Sequence, residues 1–121
     1  MKTYIVEDNA DMRFILKRLL KKNFPQIESF GESETAEEAL VEIPSFDPNL
    51  ILVDISLPGM DGIELIRRIK PQSKAASILV VTGHEIEIYK QSALSAGADA
   101  IVSKSDYNQL LEYVRKMLNR G

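Results

Sequence analysis

This sequence predicts a parallel α/β fold, a central sheet with helices on both faces. Three observations lead there. Short β-rich runs alternate with segments of helical spacing along the whole chain, in the order βαβαβαβαβα. Several of those runs are apolar throughout rather than alternating, as strands covered on both faces require. The 121 residues, 45% hydrophobic and 27% charged, suffice for one continuous core and are too few for two ordinary ones, so a single domain over 1–121 is expected.

The first strand is Thr3-Tyr4-Ile5-Val6, and the stripe Met12, Ile15, Leu16, Leu19 and Leu20 marks the helix after it. A second strand is expected around Ile27 to Phe30. Ala36, Ala39, Leu40 and Ile43 mark a shorter helix that Pro44 should end, because proline lacks the N–H a helix needs. Leu50-Ile51-Leu52-Val53 is the third strand, followed by a helix on Ile63, Ile66 and Ile69 that Pro71 closes. Ile78-Leu79-Val80-Val81 is the fourth. The segment from Glu85 to Ala96 is the weakest helix, with Ile86, Tyr89, Ala93 and Leu94 on one side. Ala100-Ile101-Val102 is the fifth strand, and Tyr107, Leu110, Leu111, Val114 and Leu118 line the last helix.

Composition removes several functional classes. There is no cysteine, hence no disulfide, thiolate metal site or cysteine nucleophile. A net charge of −3 argues against nucleic acid as a direct partner, since phosphate backbones demand a basic surface. No apolar run approaches the roughly 20 residues needed to cross a bilayer. Glu7 and Asp8 so close to Lys2 do not suit a signal peptide, and a cytoplasmic protein is expected.

In a sheet of this kind ligands gather at the carboxyl ends of the strands. There the first strand ends in Glu7-Asp8, the third in Asp54, the fourth in Thr82-Gly83 and the fifth in Ser103-Lys104. Three carboxylates on one rim repel one another, so some are protonated or a cation sits among them. Hard oxygen ligands without histidine or cysteine suit magnesium or manganese. A lysine and a hydroxyl opposite such an ion would cradle phosphoryl oxygens. No glycine-rich nucleotide loop of the G-x-x-x-x-G-K-[ST] or G-x-G-x-x-G kind occurs. Singly, each feature has an ordinary reading: a solvated acidic pair, a β-prone threonine, a surface lysine, and a Glu-rich segment from Glu32 to Glu42 that forms a solvated helix face. Their register at successive strand ends is what argues for a site.

The pair Glu7-Asp8, the Val53-Asp54 strand end, the loop Leu57-Pro58-Gly59-Met60-Asp61-Gly62, the Thr82-Gly83 pair, the turn Gly97-Ala98-Asp99 and Lys104 together resemble the receiver domains of response regulators, over Lys2 to about Leu118. The resemblance implies a flavodoxin-like, doubly wound five-stranded sheet of order 2-1-3-4-5 with five helices. It implies a two-component signalling switch in which Asp54 is the phosphoacceptor. Asp8 and Asp54 would bind magnesium directly, Glu7 through water, and the main-chain carbonyl of Ser56 would complete the protein ligands. Lys104 would pair with the phosphoryl group, Thr82 would move to hydrogen-bond it, and Gly83 would leave room for the donor. The implied partners are a histidine kinase or phosphotransfer protein, a downstream output domain or protein, and a second copy bound through the face from strand four to helix five. No turnover of a free substrate is expected, only catalysis of the protein's own phosphorylation and dephosphorylation.

The chain departs from the family pattern in three places. Ile101 stands at the switch position, where an aromatic residue is usual, and β-branching restricts its χ1. Ser105 follows Lys104 where a cis-proline is usual, which leaves the isomer of that peptide open, a cis bond without proline costing about 3 kcal/mol. Glu7 replaces the more frequent aspartate. His84, two positions after Thr82, is a loop residue beside the expected phosphoryl position. A phosphohydrolase of the haloacid dehalogenase type would need a second aspartate at Ser56 and a nucleophile near the N-terminus. A flavin-binding module would need a Ser/Thr/Gly-rich loop in place of Glu7-Asp8-Asn9.

Overall fold

A computed structural model describes residues 1–119. Its elements are β1 (Lys2–Val6), α1 (Ala10–Asn23), β2 (Ser29–Ser33), α2 (Ala36–Phe46), β3 (Leu50–Val53), α3 (Gly62–Ile69), a 3₁₀ turn (Lys70–Gln72), β4 (Ser77–Thr82), α4 (Ile86–Ala96), β5 (Ala100–Ser103) and α5 (Tyr107–Leu118). All strand pairs are parallel, and the sheet order is β2-β1-β3-β4-β5, as the resemblance implied.

Period-two alternation divides the core between the two faces. Tyr4, Val6, Ile51, Val53, Ile78, Val80 and Ile101 pack against α2, α3 and α4 through Ala39, Ile43, Leu65, Ile66, Ile69 and Ala93. Ile5, Leu50, Leu52, Leu79, Val81 and Val102 pack on the other side against Leu16 and Leu20 of α1 and Leu110, Val114 and Met117 of α5. Both faces of the three central strands are therefore dry, which is why β3 and β4 are apolar at nearly every position.

Four helices start on a side-chain cap: Asn9 accepts from the Met12 N–H, Thr35 from Glu38, Asp61 from Glu64 and Asp106 from Gln109. Glu85, before α4, makes no such bond, in keeping with its weak helical pattern. At the other end of α4, Gly97 has φ +126°, a conformation open to glycine, and a Cβ there would crowd Lys70.

Some expectations shift. The second strand lies at Ser29–Ser33 rather than around Ile27 to Phe30. It is an edge strand, so pairing with β1 (Lys2 to Ser29, Val6 to Ser33) sets its limits, and Ile27 joins the α1–α5 core just before it. Pro44 does not end α2: the helix runs on to Phe46 and stops at Asp47, whose φ of 55° is left-handed and whose N–H donates to the Ile43 carbonyl. Ile15, Leu94 and Tyr107 were expected on inward stripes and are exposed. Among the described residues every peptide is trans, Lys104-Ser105 included.

Thr3 is fully buried, and its Oγ1 has no hydrogen-bond partner. Thr3→Val keeps the β-branched shape and removes the orphan hydroxyl. It is expected to stabilise the fold by about 1 kcal/mol, read as a higher urea midpoint at unchanged slope.

Candidate functional site

The parallel ladders continue one residue past the ends of three strands, and this places the polar rim. The Glu7 N–H donates to the Ser33 carbonyl (3.1 Å), Asp54 to Val6 (3.0 Å) and Lys104 to Thr82 (2.9 Å). Glu7 and Asp54 thus leave the sheet side by side, directly after the paired Val6 and Val53, and Lys104 leaves it further along β5, each with its backbone still held by the neighbouring strand.

Glu7, Asp8 and Asp54 each present a carboxylate oxygen, and the three oxygens lie within 4.8 Å of one another. Glu7 and Asp54 are buried, whereas Asp8 is exposed. Lys104 Nζ sits against two of the three, 2.6 Å from Glu7 Oε1 and 3.0 Å from Asp54 Oδ2. Burial, opposed in part by the Lys104 bond and reinforced by the neighbouring acids, holds the Glu7 carboxyl above its ordinary range. Burial also pulls on the Lys104 ammonium, but its bonds to Glu7 and Asp54 outweigh that and leave it above the usual lysine range. One ammonium thus stands against two of three clustered acids. The donor set is all oxygen and short of positive charge, which fits a hard divalent cation such as magnesium.

Thr82 is fully buried, and its Oγ1 accepts from the His84 N–H at 3.0 Å. A Cβ on Gly83 would touch only Lys104 Cδ, at 3.8 Å, so packing does not demand glycine and its absent side chain leaves the rim open. Ser56 and His84 hydrogen-bond through Oγ and Nε2, linking the loops after β3 and β4, and the His84 ring lies beside Tyr89. Ile101 points inward at 5% exposure.

The family model for the response regulator receiver domain matches residues 3–115. This chain belongs to that family. The chemotaxis protein CheY of Bacillus subtilis is 34% identical over 116 residues, 95% of either chain. The protein-glutamate methylesterase/protein-glutamine glutaminase 1 of Syntrophus aciditrophicus is 40% identical over 106 residues, 86% of this chain but 30% of that one. Among solved structures, a LuxR-family two-component response regulator from an Aurantimonas species superposes with a TM-score of 0.89 at 30% identity, over 97% of this chain and 84% of that one. The receiver thus spans nearly all of CheY and less than a third of the methylesterase.

Two features of this receiver were missed in the sequence. Arg13 sits on the inner side of α1, 9% exposed, and its Nη1 donates to the Glu7 carbonyl at 2.6 Å. Its Nε and Nη2 reach Glu32 (3.2 Å) and Glu34 (3.4 Å). Glu32, expected on a solvated helix face, belongs to β2 and pairs with Lys17 as well. Those bonds, that from Lys17 foremost, pull its carboxyl below the ordinary range. An arginine one position after Met12 interrupts no stripe, so only the charged partners on another element reveal it. The second is the packing role of Gly62, which enters the sequence reading only as the end of the 57–62 loop: a Cβ there would run into the main-chain carbonyl of Asp54.

Proposed function

We propose that this receiver is a magnesium-dependent phosphorylation switch whose phosphoacceptor is Asp54. The observation that carries the reading is the convergence of three carboxylates on one point, with Lys104 bonded to two of them. A carboxylate oxygen of Asp54 attacks phosphorus of a phosphohistidine on a histidine kinase or phosphotransfer protein, or of a small acyl phosphate. The P–N or P–O bond to the donor breaks as the new P–O bond forms, and the donor leaves with the electron pair. Asp8 and Asp54 would hold magnesium directly, Glu7 through water and Ser56 through its main-chain carbonyl. When bound, the ion neutralises charge on the transferring group. Lys104, already at Asp54 Oδ2, balances a phosphoryl oxygen, and the Thr82 hydroxyl turns to donate to another.

Incubation with magnesium and acetyl phosphate should add one phosphate to the wild-type chain by intact mass, and none to Asp54→Ala. Label at the wild-type level in that variant sinks the assignment.

The 121 residues act as one receiver in the cytoplasm, joined to an output domain or speaking to an output protein or a second copy through the face from β4 to α5. The family match over 3–115 and the greater length of the methylesterase support this reading, and no helix among the described residues is long and apolar enough to cross a membrane. Ile101, with Thr82, forms the switch. Isoleucine buries less than an aromatic ring, so a difference of some tens of Å² between its packings biases them by only about 1 kcal/mol. Ile101→Tyr should enlarge the amide shift changes that beryllofluoride produces across residues 85–106. A full two-state shift in the wild type, not enlarged by tyrosine, contradicts this.

A further inference from the structure

Asp8 differs from the other two acids of the cluster. Glu7 and Asp54 are buried and salt-bridged to Lys104, whereas Asp8 is exposed, on the turn between β1 and α1. A ligand on a turn needs its backbone held by something else, and Arg13 touches that turn on both sides. The Arg13 N–H donates to the Asn9 carbonyl at 3.0 Å, the ordinary first bond of a helix. Its side chain turns back toward the helix N-terminus, as helical side chains do, and Nη1 donates to the Glu7 carbonyl at 2.6 Å. The carbonyls of the residues before and after Asp8 are therefore both bound by one residue. Asn9 completes the frame, its N–H donating to Glu7 Oε2 at 3.1 Å and its Oδ1 accepting from Met12 at 2.8 Å.

The guanidinium is itself anchored. Glu32 and Glu34, at and just beyond the end of β2, take its Nε and Nη2, and Lys17 holds Glu32 from the other side. We propose that Arg13 is a positioning residue for the metal site, setting the Asp8 carboxylate by gripping the peptide carbonyls on either side of it. The inference rests on the magnesium-site reading given above. The plainer role for Arg13 is a staple between α1 and the edge strand β2. A staple lowers stability by the same amount with and without magnesium and leaves metal affinity alone; a positioning residue changes the affinity.

The test uses the full chain, with magnesium affinity from calorimetric titration and amide hydrogen exchange measured in EDTA. Arg13→Met should bind magnesium on the order of tenfold more weakly, the usual cost of losing a group that orients a ligand. Arg13→Lys keeps one donor for the Glu7 carbonyl and loses the fork that also reaches Glu32 and Glu34, so it should lose less, on the order of threefold. In EDTA the amides of Asp8 and Asn9 should exchange faster in Arg13→Met while those of β3 and β4 do not. Folded Arg13→Met with wild-type affinity overturns the proposal. Should Arg13→Met fail to fold, wild-type affinity in Arg13→Lys overturns it equally. A wild-type chain that binds no magnesium brings down the site reading itself, and unchanged exchange at Asp8 and Asn9 in the folded variants then overturns the positioning role separately.

Discussion

Lys104→Ala is expected to be less stable than the wild type in EDTA by about 2 kcal/mol, and to regain most of the difference when magnesium is added. Removing one partner of a buried ion pair costs about 3–5 kcal/mol, because the other charge is left uncompensated. The Lys104 side chain is 27% exposed, and water reaching the carboxylates reduces the figure. The two acids left behind, Glu7 and Asp54, are the ones the ammonium had neutralised at 2.6 and 3.0 Å. With that internal cation gone, an external one gains: magnesium should bind Lys104→Ala several-fold more tightly than wild type. Its ligand-linked stabilisation should be correspondingly larger. Phosphorylation should fall at the same time, since in the proposed switch the lysine also balances a phosphoryl oxygen. Thermal unfolding in EDTA and in magnesium measures the first two effects. Equal unfolding temperatures in EDTA, with equal magnesium affinities, show that Lys104 is not the counter-ion of the metal-free site.

Gly62→Ala is the second large effect, and here two principles predict opposite signs. Helix propensity favours alanine over glycine by roughly 1 kcal/mol in a helix interior. Gly62 opens α3, however, and a Cβ on it would overlap the Asp54 carbonyl oxygen, with the Asp54 carbonyl carbon at 2.9 Å and Ile55 Cα at 3.0 Å. All three contacts are backbone, and none can rotate away. The Gly62 N–H also donates to the Ile55 carbonyl at 2.9 Å, so the helix cannot back off without breaking that bond. Overpacking of this kind costs about 1–3 kcal/mol, and at a first-turn position the propensity gain is smaller than in the interior, so sterics win. Gly62→Ala should lower stability by about 2 kcal/mol and slow phosphorylation, because the atoms that must shift belong to Asp54, the proposed acceptor. Urea unfolding and acetyl-phosphate labelling read the two effects. A variant as stable as wild type and labelled at the same rate shows that the loop absorbs the methyl group.

How much of this was legible in the sequence depends on how local the signal was. β3 was bounded correctly because Leu50-Ile51-Leu52-Val53 is apolar on both faces. Asp54 stood out because the apolar run stops there. β2 was misplaced because an edge strand of sequence Ser-Phe-Gly-Glu-Ser carries little β signal of its own and takes its limits from β1. Pro44 was read as a stop, yet a proline so near the end of a helix forfeits little, and the left-handed Asp47 is what ends α2.

By itself, then, the sequence determined the alternation of strands and helices, the dry central strands, and the acids, hydroxyl and lysine waiting at the strand ends. These follow from periodicity and from where apolar runs stop, both properties of neighbouring residues. Only the tertiary structure decided that Lys104 bonds Glu7 as well as Asp54, that Arg13 ties the turn carrying Asp8 to β2, and that Gly62 lets α3 lie against the Asp54 carbonyl. Each of these joins residues far apart in the chain or on different elements. Such contacts arise from sheet order and packing distance, which no local pattern of residue types encodes.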